Sequence, residues 1–155
     1  MSTLRKEIKQ SRSFDSAEQE AYLNLQRTAG AIAGQFDQMF RSQKLSQPLY
    51  NVLRILRGQQ GKGLPSSRIG ERMVTREPDV TRLVDKLVSM NLAARDRSAT
   101  DRRIVLISIT PAGLEVLGRL ETPIDELHRR TLGHLSASEL KSLNRLLVKA
   151  RQSKQ

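Results

Sequence analysis

Cysteine and tryptophan are absent from this 155-residue chain. Without cysteine there is no disulfide scaffold, no thiolate zinc site and no thiol redox switch, and the absence suits a reducing compartment. No apolar run approaches the roughly 18–20 residues that span a bilayer. The N-terminus carries Arg5, Lys6, Lys9 and Arg12 with no apolar stretch behind them, so no signal peptide is expected. Histidine is limited to His128 and His134, which miss the i, i+4 spacing of paired ligands on one helix face. With no dense carboxylate cluster either, neither a metal nor a cofactor is expected. No nucleophile–base constellation emerges, so the chain is not read as an enzyme. Gly61-Lys62-Gly63 is a fragment of a phosphate loop and fails as one: Leu56 stands where the first Gly belongs, and Gly63 where Ser or Thr would bind Mg²⁺.

Aromatic side chains are scarce. Phe14, Tyr22, Phe36, Phe40 and Tyr50 are the full set, and all fall in the first third of the chain. Basic charge runs the other way. The formal net charge is +11, and residues 41–103 hold 14 basic against six acidic side chains. A basic centre between weaker flanks points to a polyanion. That centre has no aromatic platform after Tyr50, whereas single-stranded and most RNA readers stack bases on rings. Duplex DNA read in a groove is the partner that fits.

Periodicity supplies the elements. Residues 1–14 read as a polar arm. Asp15 and Glu18 mark a helix start, and Ala17, Ala21, Leu25, Ala29, Ile32, Phe36 and Phe40 make one stripe along a helix over 16–43. Gly30 and Gly34 weaken that helix or permit a close crossing. Pro48 opens a second helix, with Leu49, Val52, Leu53 and Leu56 inward and Gly58 at its end. A short helix over 65–73 buries Ile69 and Met73, and a tight break at Val74-Thr75 follows. The next helix is expected from Glu77-Pro78 to Met90, with Val80, Leu83, Val84, Leu87 and Val88 on its apolar face. Its opposite face carries Pro78, Asp79, Arg82, Asp85, Lys86 and Ser89, and Asn91 caps its end in the left-handed conformation.

Leu92–Arg97 and the β-branched run Arg103–Ile109 read as strands joined by the polar tip Ser98-Ala99-Thr100-Asp101. Thr110-Pro111 starts a helix with Leu114, Leu117, Leu120, Ile124 and Leu127 as its stripe, kinked at Pro123. Ser136 and Glu139 form a capping box for a last helix lined by Leu140, Leu143, Leu147 and Ala150, with Leu135 and Leu140 placed as a staple.

Helix, helix, turn, helix and hairpin make a winged helix-turn-helix, whose second short helix suits a major groove. Gly70 lets the two short helices cross closely. The expected fold is mainly α with a small β-hairpin: an arm and dimerisation helix over 1–43, a DNA-binding lobe over 44–109, and C-terminal dimerisation helices over 110–155. The flanking stripes exceed what the small lobe can cover, so they bury against each other or against a second copy, a C₂ homodimer being the commonest arrangement.

The segments Arg68-Ile-Gly-Glu-Arg-Met73, Pro78-Asp-Val-Thr-Arg-Leu-Val-Asp-Lys-Leu87, Asp101-Arg-Arg103 and Ile109-Thr-Pro-Ala-Gly113 resemble the MarR family of bacterial transcriptional regulators. The likeness covers roughly residues 16–152. It implies a cytoplasmic homodimer whose winged helices read a pseudo-palindromic operator. It also implies that Arg103 enters the minor groove at the wing tip and that Asp101 orients it. Val74 stands where the family usually has Gly, and Arg76 where it usually has a Ser cap.

Candidate DNA-binding residues on and before the recognition helix are Arg76, Pro78, Asp79, Thr81, Arg82 and Lys86. Arg82 reads as a base-edge contact or as a solvated arginine paired with Asp79 or Asp85; Lys86 reads as a phosphate contact. On the wing they are Arg95, Arg97, Ser98, Thr100, Asp101, Arg102 and Arg103, where a narrow minor groove attracts Arg. Phe36, Phe40, Tyr50 and Arg54 read either as ordinary packing or as a pocket for the small-molecule effector that the resemblance implies. Leu140, Leu143 and Leu147 are the dimerisation candidates. The chain is thus read as a sequence-specific, ligand-responsive repressor. The alternative is an architectural or protein-interaction winged helix without operator specificity.

Overall fold

A computed structural model describes residues 2–152. The described elements run α1 (Thr3–Glu7), α2 (Ala17–Ser42), α3 (Gln47–Arg57), α4 (Ser66–Gly70), α5 (Val80–Ser89), β1 (Ala93–Arg97), β2 (Val105–Ile109), α6 (Pro111–Leu132) and α7 (Ala137–Arg151). They form two compact units, one up to Gln47 and one from Pro48 onward, so the C-terminal helices group with the winged lobe.

In the first unit, the expected polar arm contains a helical turn. The Ser2 hydroxyl accepts the Arg5 N–H, and Leu4 is buried, which is why these five residues leave the extended state. α2 starts one residue later than Asp15 suggests. Ser16 is its N-cap, accepting the Gln19 N–H at 3.1 Å, while the Gln19 side chain returns to the Asp15 N–H at 2.7 Å. Most of the α2 stripe, including Ala17, Ala21, Leu25 and Ala29, is exposed, and only Phe40 is buried. A Cβ at Gly30 or Gly34 would meet nothing within 4 Å, so among the described residues no neighbour packs on either glycine.

Lys44 closes α2 at φ 57. The Leu45 N–H reaches the Phe40 carbonyl at 3.0 Å and the Lys44 N–H reaches that of Arg41 at 2.9 Å, a Schellman end that ordinarily takes Gly at the left-handed position. Lys44→Gly is therefore expected to raise stability by about 0.5–1 kcal/mol, read as a higher thermal midpoint. A lower midpoint would contradict the left-handed assignment.

The second unit is built on α3, whose Leu49, Val52, Leu53 and Leu56 are all buried at the expected spacing. Their companions in the core include Ile69, Val84, Leu87, Ile107, Leu117 and Leu120. After α3, Gln60, Gly61 and Gly63 turn the chain through positive φ. Leu64 then pairs with Ile107 by two backbone bonds of 2.8 Å, a third edge to the hairpin that the residue pattern does not announce. Gly63 is needed there twice over: its φ is 65, and a Cβ would lie 3.1 Å from the Leu106 Cβ. At Gly70 a Cβ would stand 3.3 Å from the Val80 Cγ2, so its small size does serve the crossing of α4 and α5.

β1 and β2 pair antiparallel from Ala93↔Ile109 to Arg97↔Val105, a shorter ladder than the expected strands. Thr110 joins the hairpin to α6: its hydroxyl donates to the Asn91 carbonyl at 2.7 Å and accepts the Gly113 N–H at 3.1 Å. α6 continues through Pro123 as one helix, with Leu117, Leu120, Ile124 and Leu127 buried but Leu114 exposed. α7 has the expected capping box. The Ser136 hydroxyl, and after it the Ser136 N–H, hold the Glu139 carboxyl below its ordinary range. No residue of α7 is buried: Leu143 is exposed and Leu140 and Leu147 are half-buried.

Candidate nucleic-acid interface

The candidate recognition helix is shorter than its sequence suggests. α5 begins at Val80, and Glu77 and Pro78 belong to the preceding turn. Pro78 disfavours helical backbone at Glu77. Asp79 then supplies the cap, its Oδ1 accepting the Arg82 N–H at 2.9 Å. Asp79 is thus committed to starting α5, where its charge also suits the positive end of the helix dipole.

The break between α4 and α5 is correspondingly long, spanning residues 71–79 rather than Val74-Thr75 alone. Asn51 on α3 holds it: its Oδ1 accepts the Val74 N–H at 2.8 Å, while the Val74 side chain stays 81% exposed. Arg76 and Pro78 are exposed along this turn. On α5 itself Val84 and Leu87 are buried, and Thr81, Arg82, Asp85, Lys86 and Ser89 face outward. Among the described residues Arg82 makes no ion pair; Asp79 takes its backbone N–H, and Asp85 pairs instead with Arg95 of β1. α5 ends on Asn91 at φ 58, with the Leu92 N–H on the Leu87 carbonyl at 2.9 Å, the left-handed cap expected.

The wing tip is organised by two side chains. Ser98 is 9% exposed, and its hydroxyl accepts the N–H groups of Thr100 at 3.3 Å and Asp101 at 3.4 Å. It shapes the loop from within. Asp101 Oδ1 accepts the Arg103 N–H at 2.9 Å and stands 3.4 Å from the Arg103 Nε. That leaves the Arg103 side chain 93% exposed on a backbone fixed by its own neighbour. Arg97 donates to the Arg102 carbonyl at 3.3 Å, and Thr100 and Arg102 are exposed. Arg95, by contrast, is drawn back onto Asp85. The lobe therefore projects two basic groups on one unit, Arg82 and Lys86 from the helix and Arg102 and Arg103 from the wing.

The aromatic candidates form two local pairs. Phe36 and Phe40 lie 6.3 Å apart between ring centroids. Arg54 donates to the Tyr50 hydroxyl at 3.0 Å, and its guanidinium lies 5.9 Å from that ring. Sequence reasoning misses Asn51, whose signal is a lone amide beside the inward Val52 and Leu53, and it misses the pairing of Asp85 with Arg95. Among the described residues no group of three or more His, Asp or Glu could hold a metal, and no helix is long and apolar enough to cross a membrane.

A family model described as the MarR family matches residues 45–105. A crystal structure of a MarR transcription factor from Planctomyces limnophilus is 41% identical, with a TM-score of 0.68, over 87% of this chain and 98% of that one. A Thauera aromatica protein named for transcriptional regulation of the hcr operon is 29% identical over 64% of this chain; the match spans only 58% of that protein. The HTH-type transcriptional repressor IacR of Pseudomonas putida is 24% identical over 79% of this chain and 72% of its own length.

Proposed function

The chain belongs to the MarR family, and from that premise we propose that it is a homodimeric, sequence-specific DNA-binding repressor of transcription in the bacterial cytoplasm, not an enzyme. The observation that carries this reading is the wing tip. Asp101 braces an almost fully exposed Arg103, an arrangement suited to a narrow minor groove, on the same lobe as the outward Arg82 and Lys86 of α5. The repressor named among its relatives supports the sign of regulation. For an effector, the Arg54 guanidinium over Tyr50 offers a cation beside a ring, which suits an aromatic carboxylate.

The test is selection of bound duplexes from a random pool, followed by titration of three variants on the selected site at two salt concentrations. The wild type is expected to enrich one pseudo-palindrome. Arg82→Ala should cost about 1–3 kcal/mol and relax base preference at one position per half-site. Arg103→Ala should weaken binding with a shallower salt dependence. Asp101→Ala should weaken binding mildly although it removes a negative charge near DNA. Even coating of DNA without enrichment would defeat operator specificity, and tighter binding by Asp101→Ala would defeat the orienting role.

A further inference from the structure

Asp85 is out of place on a surface that meets a polyanion. It faces outward from α5, three residues after Arg82 and adjacent to Lys86, where a bare carboxylate would repel phosphate. Its charge is not bare. Asp85 Oδ1 binds the Nη2 of Arg95 on β1, which removes Arg95 from the arginines free to meet DNA.

The position of this bond matters more than its strength. β1 is buried at Ala93, half-buried at Ala94 and exposed from Arg95 to Arg97. On β1 itself apolar burial stops one residue before the ion pair, while Ile107, the cross-strand partner of Arg95, stays in the core. Beyond the ion pair, the hairpin ladder and the Ser98 and Asp101 bonds hold the wing to itself but not to α5. Among the described residues Asp85–Arg95 is the ion pair that joins α5 to the wing. Both side chains are partly exposed, so the pair adds little to global stability. Its leverage falls on the direction of a two-stranded arm.

We propose that Asp85 and Arg95 are positioning residues whose ion pair sets the angle between the recognition helix and the wing, so that α5 and the Asp101–Arg103 tip engage adjacent grooves in one register. The inference rests on the DNA-binding reading above, but it has a readout that needs no DNA. The chain lacks cysteine, so Ser89→Cys with Ala99→Cys places two spin labels, one on α5 and one at the wing tip, without background. The single distance peak of the parent protein should broaden in Asp85→Asn and in Arg95→Gln. It should narrow again in the charge swap Asp85→Arg with Arg95→Asp.

On the selected operator each single variant should bind about three- to tenfold more weakly, and the swap should recover most of that loss. Simple electrostatics predicts the opposite for Asp85→Asn, namely tighter binding to every sequence. An unchanged distance distribution in Asp85→Asn, or tighter operator binding by it, would overturn the proposal. A wild type that keeps a narrow distance peak yet selects no operator would count against the DNA-regulator reading, while the distances still decide the role of the pair.

Discussion

Gly113→Ala is expected to lower the thermal midpoint by roughly 4–8 °C, whereas Gly118→Ala, later in the same helix, is expected to raise it. Intrinsic propensity makes no distinction between them, since Ala is favoured over Gly in any helix by about 1 kcal/mol. Their surroundings are opposite. A Cβ at Gly113 would lie 2.3 Å from the Leu92 carbonyl oxygen and 2.7 Å from the Ile109 Cγ1. Neither atom can yield cheaply: the Leu92 carbonyl accepts the Thr110 N–H at 3.1 Å, and Ile109 is paired with Ala93 in the ladder. The first turn of α6 would have to lift off the base of the hairpin, an overpacking cost of about 3 kcal/mol. At Gly118 a Cβ meets nothing within 4 Å, so only the propensity gain remains. Thermal unfolding of both variants at one protein concentration checks the pair of signs. Shifts in the same direction would contradict the close seating of Gly113 on Leu92.

Burial that repeats along one element is legible in the residue pattern itself. The Leu49, Val52, Leu53 and Leu56 face of α3 and the Val84 and Leu87 face of α5 are inward as their spacing requires. Local caps are legible for the same reason: Thr110, Ser136 with Glu139, and Asn91 each act within a few residues of themselves. The start of α5 is ambiguous in sequence, because Pro78 suits either a first helical turn or the approach to one, and the choice falls to the Asp79 cap. The Leu64–Ile107 pair joins residues far apart in the chain through one rung, which leaves no periodic trace.

The candidate site divides along the same line. Arg82, Lys86, Arg102 and Arg103 are outward, as residue type and helix face suggest. Arg95 and Ser98 share the composition of their neighbours but make different contacts. Arg95 is diverted by a carboxylate on another element, and Ser98 is turned inward by the loop it closes. Which of several similar polar residues faces outward depends on tertiary geometry that composition does not encode.

Leu143→Asp combined with Leu147→Asp is expected to convert the protein to a monomer and to weaken operator binding by more than about 100-fold. α7 is a capped helix of 15 residues with no buried side chain, a length that is marginal in isolation. Leu143, Leu146 and Val148 are exposed, the last two by 52% and 42%, beside half-buried Leu140 and Leu147. Leu140, Leu143 and Leu147 recur on one helix face, and an apolar stripe left uncovered in this way marks an interface, which a two-fold axis lets serve both copies. Carboxylates at 143 and 147 would have to be desolvated on association, whereas in the separate chain they meet water, so the winged lobe should keep its helical spectrum. Loss of the second lobe removes the effective-concentration gain of a two-half-site complex, which is where the large factor comes from. Sedimentation equilibrium at micromolar concentration and titration of the selected operator read the two effects separately. A wild-type monomer under those conditions, or a dimeric variant with undiminished binding, would place the interface elsewhere; a monomeric variant that still bound the full operator tightly would show that dimerisation contributes little to recognition.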